Sequence, residues 1–175
     1  MADTYTLISS VTVGAGGASS IEFTSIPATY TDLLVLTSCR SNRTGDNNDA
    51  IKIQFNGDTG NNYSIRYLFT SDGATTGSGS SSSISFGVGG FATATNATSN
   101  TFGNSSCYIP NYAGSNQKSF STDEVIENNA TASTLRLEAN LWTGTAAISS
   151  IKLAPNVGTL FNQYSTAYLY GISNS

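Results

Sequence analysis

The 175-residue sequence predicts an all-β, antiparallel fold, a sandwich or barrel in one domain spanning residues 1–175. Apolar residues recur at every second position in many short segments, the period of a strand with one buried face. No stretch carries the 3.6-residue apolar period of a helix. Ser, Thr, Asn and Gly supply roughly half the chain, which favours strands and turns.

The elements follow in order. Tyr5, Leu7, Val11 and Val13 sit at even spacings, with a bend or bulge expected near Ser10. Ile21 and Phe23 alternate with polar neighbours ahead of Ile26-Pro27. The continuous run Leu33-Leu-Val-Leu36 fits a strand covered on both faces. Ile51, Ile53 and Phe55 form the next alternating set, and Tyr63, Ile65, Tyr67 and Phe69 another; the loop Asn56–Asn62 is expected to join them as a hairpin. Tyr108-Ile-Pro110 suits an edge, a bulge or a strand end. Between Lys118 and Asn129, the Ser121-Thr-Asp-Glu124 pattern resembles a capping box and allows at most one helical turn. Leu135, Leu137, Ala139 and Leu141 alternate with Arg136, Glu138 and Asn140, which places the charges on a polar face. Ile148, Ile151 and Leu153 precede Pro155, and in the final segment Ala167, Leu169 and Gly171 oppose Tyr168, Tyr170 and Ile172. The Ser-, Gly-, Thr- and Asn-rich stretch 71–104 stands apart: Ile84, Phe86, Val88 and Phe91 within it are enough for a strand, and the segment is expected to form a long ordered surface arm packed on a neighbour rather than a floppy linker.

Composition narrows the chemistry. Seven Lys and Arg against eleven Asp and Glu, scattered along the chain, cannot supply the basic footprint of a nucleic-acid binder. No run approaches the ~20 apolar residues of a membrane-spanning helix, and the N-terminal residues lack the basic and apolar regions of a signal peptide. A soluble protein made in a cytosol is expected, with Cys39 and Cys107 as free thiols. Without histidine, Ser-His-Asp and Cys-His sites are absent, as are phosphate-cradling Gly motifs. Asp123, Glu124 and Glu127 read as a solvated turn, Glu138 as a surface carboxylate, and the Asp46–Asp49 and Asn56–Asp58 clusters as Asx turns rather than calcium sites. Trp142 suits core packing, with an interface or a sugar platform as alternatives. No catalytic, cofactor-binding or metal-ligating residue is assigned, and an enzyme is not expected.

Tyr5-Thr-Leu-Ile8, Ile26-Pro-Ala-Thr-Tyr-Thr-Asp-Leu-Leu-Val-Leu36, Ile53-Gln-Phe-Asn-Gly-Asp58 with Asn62-Tyr-Ser64, and Ile109-Pro-Asn-Tyr112 occur in this order. Lys118-Ser-Phe120, Trp142, Ala147-Ile-Ser-Ser-Ile-Lys-Leu153 and Phe161-x-x-Tyr-Ser-x-Ala-Tyr-Leu-Tyr-Gly-Ile172 complete the set. The ordered set resembles a family of small virion surface proteins of tailed phages, especially those of cyanobacteria and other aquatic bacteria. The resemblance implies a jelly-roll-like β-sandwich, assembled as a homotrimer on the virion surface after synthesis in the bacterial host cytoplasm. The implied partner is the major capsid protein, for a decoration (cement) protein that stabilises the shell. Tail fibre proteins and a host surface glycan are the implied partners of the alternative, a fibre or spike tip. Contacts are expected from the Tyr5–Val13 segment and from residues 71–104.

Overall fold

The computed structural model describes residues 4–72, 74–128 and 133–173. Among them form twelve strands and no helix: β1 (Tyr5–Thr12), β2 (Ile21–Phe23), β3 (Asp32–Cys39), β4 (Asn48–Phe55), β5 (Tyr63–Ser71) and β6 (Thr75–Ile84), then β7 (Gly87–Thr93), β8 (Gly103–Pro110), β9 (Lys118–Ile126), β10 (Thr134–Trp142), β11 (Ile151–Pro155) and β12 (Thr166–Ile172). The strands pair antiparallel in two sheets, one ordered β1-β12-β3-β8-β9-β10-β5-β6 and the other β2-β11-β4-β7. The predicted all-β antiparallel sandwich is the fold observed.

The chain alternates between the sheets from β1 to β4, and two hairpins interrupt that alternation. β5–β6 and β9–β10 both join the larger sheet and extend it past β8 by four strands, referred to below as the wing. Leu33, Val35, Cys107, Ile109 and Leu169 of the larger sheet meet Ile21, Phe23, Ile51, Ile53 and Leu153 of the smaller one in the main core. Where the wing begins, aromatic rings close the core edge to face. Phe55 lies 5.1 Å from Phe120 and 5.5 Å from Trp142, at interplanar angles of 70° and 65°.

Several local expectations change. Asn56–Asn62 is no hairpin loop, because β4 and β5 belong to different sheets. Asn56 and Gly57 take positive φ, and the loop crosses the sandwich with the Tyr63 hydroxyl accepting the Phe55 N–H at 2.9 Å. The irregularity of β1 lies between Leu7 and Ser9, two residues before Ser10. It turns Tyr5 and Leu7 to the outside while Val11 and Val13 stay against the core. Leu33 and Val35 are fully buried, but Leu34 and Leu36 face outward and are only half-buried, so that run is covered on one face.

Ser121–Glu124 forms no helical turn. Its backbone is used on both sides by β8 and β10, and Phe120, Thr122, Glu124 and Ile126 point inward at strand spacing. Nor is 71–104 a surface arm. β6 is an exposed edge strand, but β7 is buried along its whole length against β4, so that part of the segment belongs to the body of the fold.

Among the described residues β7 pairs along its length with β4 and otherwise makes only the single bridge between Thr93 and Arg40, so most of its second edge needs other partners once buried. Polar side chains of the larger sheet supply them. Asn140 Oδ1 accepts the Val88 N–H at 2.9 Å, Thr122 Oγ1 donates to the Val88 carbonyl at 2.8 Å, and Ser105 Oγ accepts the Phe91 N–H at 3.1 Å. These inward polar residues cap an edge strand that would otherwise carry orphaned groups.

The Ser/Gly run of β6 has a structural use. Gly77 and Gly79 sit opposite Phe69 and Tyr67, whose rings lie across them. A methyl at Gly77 would stand 2.7 Å from the Phe69 ring, and one at Gly79 would strike Tyr67. Gly79→Ala should therefore cost about 1–3 kcal/mol of stability by overpacking, whereas the exposed neighbour Ser80→Ala should change it by less than about 0.5 kcal/mol. Denaturant titration of the two variants checks the contrast; equal effects would mean the rings are not seated on the glycines.

Candidate interaction surface

The wing has two faces, and β10 separates them. Its inward residues are Arg136, Glu138, Asn140 and Trp142; its outward residues include Leu135, Leu137 and Ala139. This reverses the expected polarity, since the charges lie inside and the leucines outside.

On the inner face Arg136 lies among aromatic rings, its guanidinium carbon 4.1 Å from the Tyr67 centroid and 4.5 Å from that of Phe91. Such stacking suits a weakly hydrated planar cation taken from water. Arg136 Nε donates to Glu138 Oε1 at 3.1 Å, and Nη2 donates to the same oxygen. Nε also stands 3.1 Å from Glu124 Oε1, yet neither oxygen of Glu124 receives a hydrogen bond. Both carboxyl side chains are essentially inaccessible.

One guanidinium balances one carboxylate, so the second must hold its proton or remain an uncompensated buried charge. Glu138 has the hydrogen-bonded geometry and is the ionised partner. Burial, with the charge of Glu138 beside it, pushes Glu124 from 4.5 up to about 9. Burial also raises Glu138, opposed by Arg136. Glu124, expected in a solvated turn, and Glu138, expected at the surface, thus join Arg136 in one buried group, whereas Asp123 and Glu127 are exposed.

On the outer face the wing presents an aliphatic patch. Leu68 is 62% exposed, Leu137 57% and Leu135 52%, with Val125 beside them. The pairings place these side chains in rows: Leu137 opposite Leu68 and Asp123, Leu135 opposite Val125 and Thr70, and Ala139 opposite Arg66 and Ser121. Two shallow grooves of about 600 and 690 Å³ run beside Leu68 and Leu137. Four exposed aliphatic side chains thus stand together on a face whose other exposed residues are small or polar. Beside the wing on the same face, Tyr108 of β8 lies exposed opposite Ser121, and toward the far edge of the sheet Tyr5, Leu7 and Tyr168 are also exposed.

The other sequence candidates resolve into structure. Trp142 is buried, and its Nε1–H donates to Asp58 Oδ2 at 2.7 Å, so it is a core residue and no sugar platform. Asp58 also accepts from the Gly60 N–H at 2.8 Å, and these bonds hold its carboxyl below the usual range. Asp49, fully buried, accepts the N–H groups of Val157 and Gly158 at 3.0 and 2.9 Å, while Asp46 pairs with Arg43 at 2.6 Å. Among the described residues no group of three or more acidic or cysteine side chains could hold a metal ion. Cys39 and Cys107 are buried and free. Cys39 pairs with Gly103, four residues along β8 from Cys107, which separates them by about 13 Å, beyond the reach of a disulfide.

The sequence did carry a signal for the reversed polarity. Residues 136, 138, 140 and 142 share one strand face, and placing Trp142 in the core places Arg136 and Glu138 there as well. Phe120 and Ile126 fix Glu124 in the same way.

No family model, curated protein or solved structure matches the chain.

Proposed function

We propose that the protein is a non-enzymatic structural component of a phage particle, a capsid decoration protein that adheres to the assembled shell. The observation that carries the reading is the apolar outer face of the wing, joined to the ordered segments that resemble virion surface proteins. On β10 the charged and amide side chains are turned inward, where Asn140 caps β7 and Arg136 and Glu138 join the buried group, and the leucines stand outside among the serines and threonines of the neighbouring strands. What remains outside is a surface suited to contact.

The strand order supports a jelly roll as the scaffold. Without the two hairpins, β1-β12-β3-β8 faces β2-β11-β4-β7, an eight-stranded, two-sheet arrangement with the chain passing between sheets, as in that architecture. The wing is then an addition to it.

The mechanism is mass action. A subunit that binds the finished lattice and not its separate parts stabilises the lattice by its binding free energy. The homotrimer implied by the resemblance would add avidity by engaging several shell subunits at once. Particles lacking the protein should lose their genome at a lower temperature than complete ones, and added purified protein should restore the difference. Equal heat resistance would overturn the reading, and copies found by microscopy only at the tail would replace it with the fibre-tip alternative.

A further inference from the structure

We infer that the outer face of the wing is covered by the same face of a second copy of this chain, in a two-fold contact centred on β10. This goes beyond the particle reading and does not depend on it.

The first argument is charge. Across the outward positions of β5, β6, β9 and β10 stand one acid, Asp123, and one base, Arg66, both exposed. Asp123 lies opposite Leu137 on one side of β10, and Arg66 lies opposite Ala139 on the other. The midpoint between them falls on β10 between Leu137 and Ala139. A two-fold axis lying in the contact plane through that point exchanges the two positions. It sets Asp123 of each copy against Arg66 of the other and brings Leu68 and Leu137 against their counterparts near the axis. A surface complementary to itself in this way closes at two copies, the isologous arrangement.

The second argument is area. Four strands ~4.8 Å apart and about eight residues of ~3.4 Å each give a face of roughly 500 Å² in projection. Side-chain relief brings its accessible area toward the ~800 Å² per partner of a standard interface. The third is chemistry. The exposed apolar side chains of this face are aliphatic, whereas sugars are held by flat aromatic rings, and its two charges cancel, which leaves nothing to draw a strongly charged partner.

A three-fold contact needs two different patches, so any trimer of this protein would be built on other surfaces. The test is the mass of the intact protein by sedimentation and light scattering across a concentration series reaching ~1 mM, with circular dichroism as the folding control. Asp123→Arg places like charges together twice per pair and should weaken association by roughly 100-fold. Arg66→Asp should do the same from the other side, and the double exchange should restore association. Leu137→Glu, at an exposed position, should abolish it. A mass halved by either single exchange and recovered in the double variant bears the inference out. A mass that neither single exchange alters, whether of one copy or three, overturns it, and so does a double variant as weak as the singles. Particle heat resistance is a separate readout, so failure of either reading leaves the other standing.

Discussion

Arg136→Met should lower the unfolding free energy by about 3–5 kcal/mol at pH 8, read from urea denaturation. The side chain fits the space between Tyr67 and Phe91, so little volume is lost. What is lost is the cation. Glu138 loses the donor to its Oε1, and no other cation lies among its charge partners. The penalty of an unpaired buried carboxylate then falls on the folded state alone. The loss should shrink at pH 5, where both carboxyls can take up protons at smaller cost. An effect below about 1 kcal/mol at pH 8 would mean water reaches the group and the burial argument is wrong. Replacing Arg136, Glu124 and Glu138 together by apolar residues of similar size should cost far less than Arg136→Met alone, because no uncompensated charge remains.

If the triple replacement is so mild, the ion group does something other than stabilise. β10 is apolar on its outer face at Leu135 and Leu137 and holds Trp142 on its inner face. A slip of one residue against β5 or β9 would exchange the faces. With charges at 136 and 138 the slipped strand trades a paired, stacked arginine for leucines already tolerated outside, and Asn140 leaves Val88 uncapped. The buried charges thereby make one register the better of two. The same argument explains the exposed leucines. They are not misplaced core residues, and their exposure is relieved if the face they form is covered.

How much of this was legible in the sequence follows from what alternation can say. A period of two separates a strand into two faces, and it located strands from Tyr5 to Ile172 but not β6 or β9, and it left β7 inside a segment taken for a surface arm. It does not say which face turns inward. That choice is made by partners far away in sequence: Tyr67 and Phe91 stack on Arg136 from β5 and β7, and Val88 needs Asn140 and Thr122. Assigning leucines inward by hydropathy alone therefore inverted β10. Sheet membership was hidden for a similar reason. β4 and β5 are adjacent in sequence and alternate alike, but their pairing partners, β11 and β10, lie later in the chain. The Gly/Ser run of β6 looked like a loop because its strand character resides in what faces it, the rings of Tyr67 and Phe69.

Thermal and urea denaturation should show stability falling as pH rises from 5 to 9, opposite to the usual behaviour of paired carboxylates. Glu124 has an ordinary value of 4.5 in the unfolded chain and is pushed to about 9 in the folded one, chiefly by burial and then by Glu138. Below pH 4.5 both states hold the proton and folding bears no penalty from it. Above that value the unfolded chain has released the proton while the folded chain retains it. Each further pH unit therefore costs at most about 1.4 kcal/mol until the folded carboxyl also ionises. Glu138 is raised too, and its contribution has the same sign. Few other groups obscure the effect. The chain has no histidine, and the two buried cysteine thiols, pushed up to about 12, add a loss of the same sign only above about pH 8, where the unfolded chain begins to release their protons. Allowing for relaxation of the wing around the charged form, a loss on the order of 3 kcal/mol across the window is expected. Glu124→Gln keeps the shape and discards the titration, so it should flatten the profile and raise stability at pH 8 by a similar amount. A wild-type profile that is flat from pH 5 to 9, or a Glu124→Gln profile with the wild-type slope, would show that Glu124 does not hold its proton inside the fold.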